Sequence, residues 1–283
     1  MNGNTIKTFT LLAGLAGLLV LVGQVLGGTG GAVLGFVLGI GLVGGSYWFS
    51  DRLAVRAARA EPLDAATAPE LHATVAELAD RAGVAVPRLY LSPSPQPNAF
   101  ATGRNDRNAV VAVTQGLLDN LTPAEVRGVL AHEIAHIANR DILIGSIAAA
   151  VATGVSMIAN IASFSAIFGG SDEDGPSPIA LLAMAMVAPI AAAMLQFAVS
   201  RSREYEADRV GADISGDPAA LASALTKIEH LARRTPMDVT PAQASAYIIN
   251  PLTGRRVRFA QLFLTHPPTD QRVTRLLGAT TRV

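Results

Sequence analysis

The stretch VLAHEIAHIANRD, Val129–Asp141, sets two histidines four apart with a glutamate beside the first, then runs directly into ILIGSIAAAVATGVSMIANIASF, residues 142–164. The first half has the polarity of an aqueous chemical site, and the second is apolar enough for a membrane or a deep core. How the two coexist decides the fold. The sequence leading in, LTPAEVRGVLAHEIAHIANRD, opens with Thr122, Pro123 and Glu125 in capping-box spacing, so the motif is expected on a helix. On a helix His132 and His136 project from one face and can share a metal ion, while Glu133 beside them is placed to hold a water on that ion. The plain alternative is two histidines near a helix C-terminus, where the helix dipole favours positive charge.

Composition favours the membrane. Of 283 residues, 50% are hydrophobic and only 16% charged, with a mean hydropathy of +0.38, whereas soluble domains carry about 25% charged residues. Lysine plus arginine balances aspartate plus glutamate at 22 each, giving no electrostatic reason to expect a nucleic-acid partner. With no cysteine, disulfides, thiolate ligands and a thiol nucleophile are excluded, so a metal must be held by His, Asp or Glu.

Four long uncharged runs are expected to span a bilayer, in two pairs: Thr8–Leu26 with Gly31–Phe49, joined by GGTG, and Ile142–Phe168 with Ile179–Val199. Glycine, alanine and serine recur through all four, as suits closely packed helices in lipid. Buried helices of a soluble core are the alternative, and Pro189 and Gln196 make the fourth run the weakest. Basic residues flank both pairs on one side: Lys7, Arg52, Arg56 and Arg59, then Arg140, Arg201 and Arg203. The tip of the second pair is acidic, with Asp172, Glu173 and Asp174. The positive-inside rule puts the flanks, and both large polar segments, on the cytoplasmic side.

The expected domains are therefore a first transmembrane hairpin (1–50), the first part of a cytoplasmic α+β domain with the HExxH helix (51–141), a second hairpin (142–199), and the rest of the cytoplasmic domain (200–283). Within the polar parts, PELHATVAELADRAGV reads as a helix ended by Gly83. A strand, a proline-rich loop, an extended NAFATG and a strand AVVAV follow. SRSREYEADRVGADISGDPAALASALTKIEHLARR reads as two helices broken at SGDP.

Zinc needs a third protein ligand. The elongated motif with a glycine turn and a third histidine is excluded, because Asn139 and Ile142 hold those positions. REYEAD offers the other solution. Glu204 and Asp208 share a helix face while Glu206 points away, giving Glu204 as a ligand and Asp208 as a partner for a ligand histidine. His136 lies six residues before the third run and Glu204 five after the fourth, so both would stand at one height above the same membrane surface. Ion pairs with Arg201, Arg203 or Arg209 are the alternative role for these carboxylates.

Taken in order, NAFATG, HEIAHIANRD, SRSREYEAD and HPPTDQR resemble the HtpX-type membrane zinc metalloproteases, related to the CAAX prenyl endoproteases. The resemblance covers most of the chain. It implies a gluzincin-like fold at the cytoplasmic face of a bacterial inner membrane, with one zinc on His132, His136 and Glu204. Glu133 would be the acid/base, and the substrates polypeptides, chiefly damaged or misfolded membrane proteins. Asn98 and Ala99 are candidates for main-chain contact with an extended substrate, or else parts of an ordinary turn. His266 reads either as a donor to the oxyanion of the attacked carbonyl or as the start of the last helix. A catalytically silent adaptor that retains the fold remains open. A site-2-type protease fits poorly, because Glu125, Arg127, Arg140 and Asp141 crowd the motif.

Overall fold

The computed structural model describes residues 3–142, 201–235, 246–251 and 267–279, together with 237, 239 and 244. The third and fourth apolar runs, the acidic tip and His266 lie outside the described residues. The chain divides into two compact units, one containing residues 1–49 and the other residues 50–146 and 199–283.

Helix α1 runs Gly3–Ala57, most of it in the first unit, and reverses at Gly28, where φ is +58°. The reversal follows from contacts that a straight helix cannot make. A Cβ added at Gly23 would collide with the Gly31 carbonyl, one at Gly35 with the Leu19 carbonyl, and one at Gly39 would lie 3.4 Å from the Ala16 Cα. Glycine along this seam is what lets the two arms touch. Away from the seam Leu21, Val33, Leu34, Phe36, Val37, Leu38, Ile40, Trp48 and Phe49 are exposed. Among the described residues no helix is long and apolar enough to cross a membrane, so the four-span expectation is not confirmed.

The second unit carries the polar domain. Its elements are β1 (Glu61–Pro62), α2 (Pro69–Ala82), β2 (Arg88–Ser92), β3 (Ala99–Thr102), β4 (Val110–Thr114), α3 (Gln115–Asn120), α4 (Pro123–Ala138), α5 (Arg201–Ser215), α6 (Pro218–Ala232) and α7 (Thr269–Ala279). The four strands order β1-β2-β4-β3. β2 pairs parallel with β4, while β1 and β3 pair antiparallel at the two edges. Every residue of β4 is buried, as for a central strand covered on both faces. The sequence reading found α2, closed by Gly83 in the left-handed conformation, and the two helices broken at SGDP. It missed β1 and α3, which are too short to show a period.

Helix α4 is the hub, packing on α5, α6, α2 and β3. Its capping box forms as expected: the Thr122 hydroxyl accepts from the Glu125 N–H while the Glu125 carboxylate accepts from the Thr122 N–H. Leu130, Ile134 and Ile137 are buried to within 1%, each stabilising the fold by about 1.5–3 kcal/mol. That burial helps offset the cost of the polar groups the same helix carries inward. Two glycines set the spacing. At Gly128 of α4 a Cβ would come within 3.0 Å of the Leu221 backbone on α6, and at Gly211 of α5 within 2.9 Å of the His132 backbone. Helix α5 thus lies against α4 at the level of the motif.

Candidate metal centre

His132 and Glu133 are buried, and His136 is partly buried. Because α4 and α5 touch at Gly211, Glu204 on α5 reaches the histidine pair. His132 Nε2 and His136 Nε2 are 3.1 Å apart; Glu204 Oε1 is 3.6 Å from His136 Nε2 and Oε2 is 3.9 Å from His132 Nε2. A tetrahedral zinc with bonds of about 2.0–2.1 Å places its ligand atoms about 3.3 Å apart, so the three donors fit such an ion.

The other ring nitrogens decide what lies between the rings. His132 Nδ1 faces Asp208 Oδ1 at 3.0 Å, and His136 Nδ1 faces Asp141 Oδ2 at 3.3 Å. With both Nδ1 protons directed at carboxylates, each neutral imidazole turns an Nε2 lone pair toward the other. Two lone pairs at 3.1 Å repel unless a proton or a cation lies between them. A proton on His136 would meet that need, and the carboxylates around the ring favour it. Burial opposes the charge on His136, but the Asp141 hydrogen bond and the Glu204 and Glu133 carboxylates outweigh it and push the ring up to about 9. Burial, with the nearby His136 and Arg272 charges, pulls His132 down to about 4 despite Asp208.

Glu133 lies beside this pair. Its Oε1 is buried without a hydrogen-bond partner, while the backbone N–H of Ala101 on β3 donates to the carboxylate. Burial and the neighbouring Glu204 raise it to about 7, against the opposing pull of His136 and Arg272. A carboxylate poised there can take a proton from water and return it near neutral pH. The orphaned oxygen is where a water between Glu133 and the ion would be held.

Two residues of the site escaped the sequence reading, Asp141 beside His136 and an arginine behind Asp208. Arg272 on α7 is fully buried, donating Nη2 to Asp208 Oδ1 at 2.6 Å, Nε to Asp208 Oδ2 at 2.8 Å and Nη1 to the Ile248 carbonyl at 2.9 Å. This fork outweighs burial and holds Asp208 down at about 2, keeping it an anion that accepts from His132. Glu206, expected to point away, pairs with Arg209 on the surface.

Strand β3 is a sheet edge, as an extended NAFATG segment suggested, but Asn98 and Ala99 are already engaged. The Asn98 amide donates to the Ile249 carbonyl at 2.9 Å, and the Ala99 carbonyl accepts from the Ile248 N–H at 3.0 Å. Gln96 holds the same segment through the Pro251 carbonyl. A substrate at Asn98 and Ala99 would have to exchange with Ile248 and Ile249.

The sequence model of peptidase family M48 matches residues 65–280. The chain belongs to peptidase family M48. As a member it is a metallopeptidase, and the match takes in α4, α5 and α7, which bear His132, Glu133, His136, Glu204, Asp208 and Arg272. A relative from Pelotomaculum thermopropionicum named protease HtpX homolog is 50% identical over 277 residues, spanning 96% of this chain and 98% of its own. The protein of that name from Persephonella marina is 50% identical over 279 residues, with 96% of each chain covered. The crystal structure of S. mikatae Ste24p has the same fold with a TM-score of 0.52 at 20% identity. The match covers 96% of this chain and 64% of that one.

Proposed function

We propose that this M48 protein is a zinc-dependent endopeptidase of the HtpX type. It would be held in a bacterial inner membrane and cleave damaged or misfolded membrane proteins at the cytoplasmic face. The observation that carries the reading is the histidine pair, whose facing Nε2 atoms 3.1 Å apart, with both Nδ1 atoms committed to carboxylates, leave a place suited to a cation. His132, His136 and Glu204 would hold zinc, a Lewis acid that activates water and polarises the scissile carbonyl. Glu133 takes the proton from the attacking water and delivers it to the leaving amine. Asp208, itself gripped by Arg272, keeps the His132 ring in the tautomer that donates from Nδ1. An extended substrate would add to the β3 edge, where the Ala101 N–H already points at Glu133.

Membrane placement is supported by the exposed apolar side chains of the α1 hairpin and by the basic flanks Arg52, Arg56 and Arg59. Two measurements test the proposal. Detergent-purified protein should cleave casein, whereas Glu133→Gln should not. Because the chain has no cysteine, Thr29→Cys and Asp106→Cys can each be probed with an impermeant maleimide in intact cells. Labelling of Thr29→Cys alone is expected; equal labelling of both would sink the topology.

A further inference from the structure

Both Nδ1 atoms of the histidine pair face carboxylates, but only that of His132 has its partner on the helix opposite. The His136 partner, Asp141, lies five residues further along the chain, just past the end of α4 at Ala138. Had α4 simply continued, position 141 would be rotated by about 140° away from position 136 and could not reach it. The chain instead turns back. The Arg140 N–H donates to the Ile137 carbonyl at 3.0 Å and the Asp141 N–H to the His136 carbonyl at 2.9 Å, the paired bonds of a Schellman termination. That termination needs a left-handed residue after the cap, usually glycine. Arg140 occupies it at φ +61°, a conformation that residues with a Cβ seldom adopt. It is one of two non-glycine residues with positive φ among those described.

What the strained turn achieves is the position of one side chain. Asp141, only 6% exposed, brings Oδ2 within 3.3 Å of His136 Nδ1. Arg203 on α5 faces the same place: burial works against its charge, and Asp141 and Glu204 both support it. The buried carboxylate therefore has an imidazole on one side and a guanidinium nearby. Backbone strain that persists at such a site is held there by its surroundings.

We propose that Asp141 is the positioning carboxylate of His136, accepting the Nδ1 proton so that Nε2 faces the metal, and that the left-handed turn at Arg140 serves to deliver it. The inference rests on the reading of His132, His136 and Glu204 as a metal centre. The two ligand rings are then fixed from opposite directions, His132 by Asp208 on α5 and His136 by the end of its own helix. The part Asp141 plays in the helix termination resides in its backbone N–H and does not need the carboxylate, and a carboxylate that served only the Arg203 charge would leave the His136 tautomer and zinc affinity unchanged when replaced.

The test is zinc affinity, measured by competition with a chromophoric chelator on the purified full chain, for wild type, Asp141→Ala, Asp141→Asn and Arg140→Gly. Loss of an outer partner of a ligand histidine costs about 10- to 100-fold in affinity. Asp141→Ala should show such a loss, Asp141→Asn a smaller one because an amide oxygen still accepts, and Arg140→Gly should bind within about twofold of wild type while melting higher. Wild-type affinity in Asp141→Ala would overturn the inference. Should that variant not fold, Asp141→Asn carries the test through ¹⁵N spectra of the histidine rings, where an unchanged His136 tautomer together with unchanged affinity would overturn it. Folded wild type that takes up no zinc would fail the metal centre itself, an outcome distinct from a failure confined to Asp141.

Discussion

Replacing Arg272 by methionine removes the guanidinium that grips Asp208 while keeping an apolar side chain that fills much of its volume. The structure sets the magnitude. Arg272 is 0% and Asp208 3% exposed, and the two share bonds of 2.6 and 2.8 Å. Breaking a buried pair from one side strands the other charge and costs about 3–5 kcal/mol, a large share of the roughly 5–15 kcal/mol that holds a domain folded. The stranded Asp208 also loses its hold on orientation, so zinc affinity should fall about 10- to 100-fold through His132. Chemical denaturation of chelator-treated protein measures the first effect and chelator competition the second. The deciding comparison is a double-mutant cycle with Asp208→Asn. In that background the carboxylate that Arg272 grips is gone and only Glu204, 3.8 Å from Nη1, still faces the guanidinium, so Arg272→Met should cost at least about 1.5 kcal/mol less than it does alone. Additive losses, or a single-variant cost under about 1 kcal/mol, would refute the claim that Arg272 acts through Asp208.

Gly211→Ala should weaken zinc binding and destabilise the fold by about 1–3 kcal/mol, because its Cβ would lie 2.9 Å from the His132 backbone and push α5, with Glu204, away from α4; calorimetry and chelator competition read the two effects. Glu125 is held at about 2, where the Lys227, Ser223 and Thr122 hydrogen bonds outweigh burial. Its folded pKa is depressed, so its contribution is full above the unfolded value of about 4.3 and is lost as pH falls toward 2. With Lys227 half exposed, this amounts to roughly 2 kcal/mol. Urea midpoints at pH 7 and pH 3 should therefore differ less in Glu125→Gln than in wild type. Zinc uptake at pH 7 should release at least one proton per chain, since His136 is favoured in its protonated form up to about pH 9 and Glu133, at about 7, carries part of a second. Titration calorimetry in buffers of different ionisation enthalpy counts it, and the release should vanish as pH rises past 9.

What the sequence revealed of this site was what local spacing can encode. His132, Glu133 and His136 follow from one helical repeat, and Glu204 with Asp208 from another. The capping box fixed where α4 begins, and Gly83 where α2 ends. Arg272 was within HPPTDQR and so in view. Its role depends on a partner 64 residues away on another helix, which no periodicity reports. Asp141 was hidden for a different reason. Helical geometry assigns it to the wrong face, and only the left-handed Arg140, a residue type that gives no turn signal, brings it back to His136. At β3 the edge position was legible. That Ile248 and Ile249 would occupy Asn98 and Ala99 was not, because hydrogen bonding between segments some 150 residues apart leaves no local trace.

The most direct measurement is the zinc content of folded protein, by elemental analysis after gel filtration, for wild type, Glu133→Gln and Glu204→Ala, with casein cleavage in the same samples. One zinc per chain in wild type and in Glu133→Gln is expected, with cleavage by wild type alone and both properties lost in Glu204→Ala. Zinc absent from folded wild type, or retained at full affinity without Glu204, would contradict a metal centre built from His132, His136 and Glu204.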